Sequence, residues 1–356
     1  MFADLGFETL SAPQAAVWFG LALGLAFGAL AQVTAFCLRR GLVGDDRRGA
    51  LSVWLAALAV ATLGTQITFA RGWVVFDDHR LMTGALPIAA IVIGGLLFGA
   101  GMVLSRGCVA RLTVLGASGN LRALTVLAVF AVTAHATLKG ILAPLRTSIG
   151  AVTVDLPSAS LAALPGGAAL WTGVITASAA VYALRHRPSW GLLAGAAALG
   201  ALVPLGWVGT GLILFDDFDP IALESLSFTA PWADSLLFVI ASTAIPANFG
   251  AGLIGGTLVG AGILAALRGQ FRWQSFTSPR ETGRYLAGAV LMGFGGVLAG
   301  GCTVGAGLAG IPTLSVAALL ALLTMVGGAL AAQRILNGAA SGSAGSSPRP
   351  QAIPAE

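Results

Sequence analysis

The chain is a succession of apolar runs, each close to the twenty or so residues that an α-helix needs to cross the hydrocarbon core of a bilayer. They fall near 13–36, 49–70, 84–105, 121–142, 166–184, 190–214, 232–247, 249–267, 283–300 and 311–335. Lipid offers no partner to backbone N–H and C=O groups, so runs of this length are expected to be helices. Composition agrees: 57% of the 356 residues are hydrophobic, 9% are charged, and the mean hydropathy is +0.90. A soluble domain carries about 25% charged residues, and this chain has too few to cover a globular surface. The expected fold class is an all-α polytopic membrane protein with about nine transmembrane helices, because some runs are too short or too interrupted to cross simply. The 232–267 stretch is one of these: it carries IPANFG, where Pro246 and Asn248 break the helix and make Asn248 a candidate lining residue.

Several function classes drop out. There is no G-x-x-x-x-G-K-[ST] phosphate loop, and no polar stretch long enough for a soluble catalytic domain. The net charge of +5 is no nucleic-acid signal in a membrane chain, where arginines gather in loops for orientation or along an anion path. The N-terminus lacks the positive region of a secretory signal, so the first run is expected to remain as a helix. The stretch 337–356 is rich in Ser, Gly and Pro and is expected to be a disordered tail. Arg39, Arg40, Arg47 and Arg48, then Arg185 and Arg187, mark cytoplasmic loops by the positive-inside trend. Counting spans onward from there places Arg268, Arg272, Arg280 and Arg284 on the outer face, against the positive-inside trend, so either the count slips by one there or these arginines collect anions.

Residues 99–108 read GAGMVLSRGC, and residues 293–302 read GFGGVLAGGC. Such a repeat suggests an internal duplication, with pseudo-repeats at roughly 13–185 and 190–336 of a single domain, 1–336. Interrupted segments at matching positions point to a binding site near the midplane. FGLALGLAFGAL (19–30) and FGAGLIGGTLVGAG (249–262) form a weaker echo, and FDD recurs at 76–78 and 215–217. The 50 glycines are about twice the usual 7% share, which close packing of helices in lipid partly explains.

All three cysteines, Cys37, Cys108 and Cys302, sit at helix breaks. Glycine allows positive φ and close approach of the backbone to a ligand, so Gly107 and Gly301 are expected to shape the loop tips. A metal site would need three or four converging Cys/His ligands, and only three histidines are present, two of them in loops. Thiol-redox chemistry favours a neighbouring resolving cysteine, as in Cys-x-x-Cys, and the sequence holds no such pair. The remaining use is as neutral S–H donors that hand along an anion. Arg106 and Arg111 flank Cys108 and are candidates for anion attraction. No charge lies near Cys302 in sequence.

The phrases FGAGMVLSRGCVARLTVLGASGN, GFGGVLAGGCTVGAGLAGIPTLS and GALAQVTAFCLRRGL resemble the YeeE/YedE family of bacterial sulfur transporters, the thiosulfate permeases, over residues 13–336. The resemblance implies an inner-membrane protein with an hourglass-like, pseudo-symmetric inverted-repeat fold and short re-entrant helices. It further implies that thiosulfate passes by transient hydrogen bonds to Cys37, Cys108 and Cys302, with no cofactor. Some relatives carry a fused TusA-like sulfur-carrier domain; here such an acceptor is expected to be a separate protein. Other sulfur or selenium oxyanions remain alternative substrates. A membrane thiol-redox protein is the rival of another class, and it requires two thiols close enough to pair, whereas a relay is expected to keep them too far apart to bridge.

Overall fold

The computed structural model describes residues 10–344 apart from 78, 83, 217 and 218. Among these, nine helical stretches are long and apolar enough to cross a membrane, and the chain is an all-α polytopic membrane protein. The helices are α1 Ala12–Thr34, α2 Leu38–Val43, α3 Arg47–Ala70, α4 Ile88–Leu104, α5 Val109–Ala117, α6 Leu121–Lys139 and α7 Ala143–Gly150. They continue with α8 Gly167–Arg185, α9 Trp190–Val208, α10 Thr229–Ile240, α11 Phe249–Leu267, α12 Pro279–Leu298 and α13 Val316–Ala344. Two wide π-type turns, Gly209–Ile213 and Thr303–Gly310, follow α9 and precede α13. A two-residue antiparallel clasp, Ala85–Leu86 on Val154–Asp155, is the extended pairing at one end of the bundle.

Glycine decides which helices touch. Gly20, Gly24 and Gly28 of α1 press on the backbone of Phe249, Leu253 and Thr257, while Gly252, Gly256 and Gly260 of α11 press on Val17, Leu21 and Leu25. The two glycine strings that echo one another in sequence are thus the two sides of one parallel interface, spaced by four so that each turn offers one flat site. A Cβ at any of them would strike the opposite main chain. In contrast α4 and α12 are antiparallel, with Gly94 against Gly295 and Gly101 against Gly288.

The structure shows which run does not cross, 232–247. Helix α10 has 12 residues, about 18 Å at 1.5 Å per residue, and does not cross. Removing that crossing moves the second arginine group to the other face. Arg284 neighbours Arg39, Gln270 accepts a hydrogen bond from Gln32, and the Arg272 amide donates to Ser118 O. All these arginine loops therefore share one face, the cytoplasmic one by the positive-inside trend. They do not collect anions outside. Helix α13 runs on to Ala344, and residues 345–356 of the expected tail lie outside the described residues.

Candidate functional site

Each cysteine occupies the same local geometry. A long helix ends, the residue two before the cysteine turns left-handed, and the extended cysteine then caps a new helical segment. The left-handed residues are Ala35 (φ 49°), Arg106 (φ 59°) and Gly300 (φ 75°). The residues after Ala35 and Gly300 return their N–H to the preceding helix, Phe36 to Ala31 O and Gly301 to Gly296 O, a helix stop that satisfies orphaned carbonyls. Cys37 begins α2, Cys108 begins α5, and Cys302 begins the turn Thr303–Gly310. At Cys302 the Gly305 N–H donates to Sγ at 3.4 Å. The matching amides of Arg40 and Arg111, also three residues on, are turned toward Cys37 and Cys108. A cysteine closes the repeated phrase because that position puts a side chain in front of the free N–H groups of a short helix.

The expected positive φ at Gly107 and Gly301 is not found; it falls one residue earlier in each case. Their lack of a side chain serves packing instead, since a Cβ would lie 3.1 Å from Leu112 Cδ2 at Gly107 and 3.0 Å from the Ala306 amide at Gly301. Two of the three left-handed residues are not glycine, and each such residue costs about 1 kcal/mol. The tertiary packing over-determines the breaks enough to hold that strain.

All three cysteines are free and buried, at most 2% exposed. Tertiary structure brings them together. The Cys37 thiol faces that of Cys108, and Cys108 in turn faces the Thr303 hydroxyl, next in chain to Cys302. The polar file is therefore Cys302, Thr303, Cys108, Cys37. The absent Cys-x-x-Cys motif is thus no bar to a thiol pair, because α1 and α5 supply in space what the sequence lacks. Cys37 and Cys108 are neighbours in space, and both thiols are free. Thr303 escaped the sequence reading; its only signal is that GGCTV departs from RGCVA at the residue after the cysteine.

Beyond Cys37 the file meets cations. Arg111 donates to Ala31 O at 3.5 Å and lies beside both Cys37 and Arg40. Arg106 is exposed and stands near Arg39, which also neighbours Arg284. Among the described residues Arg39, Arg106 and Arg284 have no carboxylate partner, and Arg39 Nε and Arg284 Nε are buried without a hydrogen bond. Guanidinium groups gathered without counter-charge favour an anion.

The other end opens to a cavity of about 800 Å³ whose wall includes Arg80, His79, Glu224, Trp207, Ser227 and Gly305. Phe215, from the second FDD, is also in this wall, while Phe76 of the first packs on Trp207; Asp78 and Asp217 of those motifs lie outside the described residues. Burial, then the Arg80 charge, pulls the His79 pKa down to about 4, so its imidazole is neutral near pH 7. Burial raises the Glu224 pKa, with Asp234 pushing the same way and Arg80 opposing. Asn248 is not part of this wall. It is exposed, and its Oδ1 accepts from the Ala251 N–H at 2.9 Å as the N-cap of α11, because the IPANFG break lies at the helix end and not within the bundle.

A multi-pass helical protein whose helices break at a buried polar file, between a cavity and a cationic face, has the build of a membrane transporter. The family model described as "Sulphur transport" matches residues 31–331, so the chain belongs to the sulphur-transport family. It is 27% identical over 327 residues to the thiosulfate transporter TsuA of Spirochaeta thermophila, covering 87% of this chain and 96% of that protein. It is also 27% identical over 319 residues to the thiosulfate transporter TsuA of Escherichia coli, covering 81% and 86%.

Proposed function

We propose that the chain imports thiosulfate across the bacterial inner membrane, with Cys302, Cys108 and Cys37 as successive neutral donors. One observation supports the reading: Cys37 faces Cys108, Cys108 faces Thr303, and Cys302, next in chain, is held by the N–H of Gly305 in the cavity wall. A bare ion in hydrocarbon costs tens of kcal/mol by Born estimates. Thiols offset that cost with S–H donors, carry no charge to repel a dianion, and bind weakly enough to release it. Arg111 and Arg40 receive the ion from Cys37, and Arg39, Arg106 and Arg284 hold it at the exit, where a separate TusA-like sulfur carrier is the natural acceptor. The protein moves its substrate without converting it and needs no cofactor. The two parts 13–185 and 190–336, with α4 and α12 antiparallel, supply the two breaks from opposite directions, as an inverted repeat does.

The test is uptake of labelled thiosulfate by vesicles carrying Cys37→Ala, Cys108→Ala or Cys302→Ala at equal membrane content. Each is expected to abolish uptake, and normal transport in all three sinks the relay. The adjacency of Cys37 and Cys108 favours one second reading, a dithiol–disulfide couple. It predicts that an added oxidant takes two electrons and two protons from that pair, and that Cys302→Ala keeps full function. The relay predicts loss.

A further inference from the structure

The cavity ends at two buried polar groups without partners. Trp207 is 2% exposed and its Nε1–H has no hydrogen-bond acceptor, although the ring packs edge-on against Phe76 and His79. Ser227 Oγ is likewise buried and unpaired. A donor left dry and unpaired costs about 1–3 kcal/mol, and both belong to residues in the cavity wall. Ser227 also packs beside Gly305, which joins that wall to the first thiol. A Cβ at Gly305 would come within 2.8 Å of Ser227 Oγ, and Gly305 is the residue whose N–H bonds Cys302 Sγ.

The placement parallels the other half of the chain. Cys37 lies between α1 and α3 and meets the Gly-Cys break of α4–α5, and Ser227 lies between α9 and α11 and meets the Gly-Cys break after α12. A hydroxyl thus stands beside Gly305, whose N–H holds Cys302 Sγ, where the other half has a thiol beside Cys108. Both neutral donors suit an oxyanion, since each offers a proton and neither brings a charge that must be desolvated.

We infer that Trp207 Nε1–H and Ser227 Oγ–H form an entry station for a tetrahedral sulfur oxyanion, ahead of Cys302. This rests on the transport reading above and adds two residues to it. At the station the anion exchanges water for two oriented donors before it reaches the buried sulfurs, and Arg80 at the cavity wall supplies the attraction that brings it in. Gly305, without a side chain, keeps the step from Ser227 to Cys302 open.

The experiment is the concentration dependence of thiosulfate uptake in proteoliposomes of the full chain. Trp207→Phe keeps the ring and removes the N–H; Ser227→Ala removes the hydroxyl and Ser227→Thr retains one. Each loss of a donor is expected to raise KM about tenfold, equivalent to about 1.4 kcal/mol, with little change in maximal rate, and Ser227→Thr to restore it. Trp171→Phe is the control, since Trp171 Nε1 is also unpaired but lies outside the cavity wall; its KM is expected to stay at the parent value. An unchanged KM in Ser227→Ala and Trp207→Phe, or an equal rise in Trp171→Phe, overturns the station. Cys302→Ala, run in parallel, separates the two ideas. A dead Cys302→Ala with normal Ser227→Ala and Trp207→Phe removes the station and leaves the relay; normal uptake in all of them removes both.

Discussion

The breaks at Cys108 and Cys302 end the same sequence phrase and share one backbone geometry, yet their surroundings differ. Cys108 sits beside the Arg111 guanidinium and a second thiol; Cys302 has no charge near it in sequence and is held by a backbone N–H beside an unpaired serine hydroxyl. On the transport proposal, weak neutral donors lie toward the cavity and cations toward the cytoplasmic face, so an entering anion meets stronger attraction as it advances.

Removing the sulfur at either break is the severest test. Cys108→Ala and Cys302→Ala are both expected to abolish uptake, and a variant that keeps more than a trace would break the equivalence of the two breaks. Next in size is Arg111→Gln. Its buried guanidinium lies beside Cys37, and its loss is expected to lower uptake about tenfold or more, the scale of a hydrogen bond to a charged group. Arg106→Gln, at an exposed site, is expected to cost about twofold and to be masked by added salt. Equal losses at these two positions would mean that the cations act by overall field and not by contact.

Helix packing offers a stability counterpart. Gly24→Ala or Gly256→Ala drives a methyl into the facing main chain of α11 or α1, and is expected to cost about 1–3 kcal/mol, read as a lowered melting temperature in detergent. Gly255→Ala, with open space around it, is expected to be neutral.

The smallest effect is that of pH at the cavity. The groups facing Glu224 there are Arg80, Asp234 and neutral His79. Burial raises the Glu224 pKa, so on acidification it takes up a proton above the ordinary carboxylate range and the wall loses a negative charge. Thiosulfate KM is expected to fall as pH drops through that range, and Glu224→Gln to flatten the profile. The folding contribution has the same sign: the ionised form is the disfavoured one in the folded protein, so stability rises as pH falls through the raised pKa. A KM that rises on acidification in the parent protein would place Glu224 outside the anion's approach.

Much of the fold was legible because lipid imposes one rule on every span, and apolar runs of the right length could hardly be anything but helices. Hydropathy leaves open whether 232–247 crosses; the 12-residue length of α10 shows that it does not, and that decides the face on which Arg268 through Arg284 stand. Asn248 was singled out because it stands at a break, but a break at a helix end needs only a cap, and no periodicity separates that case from a break at membrane depth.

By itself, then, the sequence determined the solvent, the helical class, the family and the three cysteines at breaks, since each follows from composition or from a contiguous phrase. The tertiary structure alone decided that Cys37 meets Cys108, that Thr303 meets Cys108, and that Ser227 and Trp207 stand in the cavity wall. Those neighbours come from segments far apart in the chain, and only the glycine-to-backbone contacts between helices fix their register.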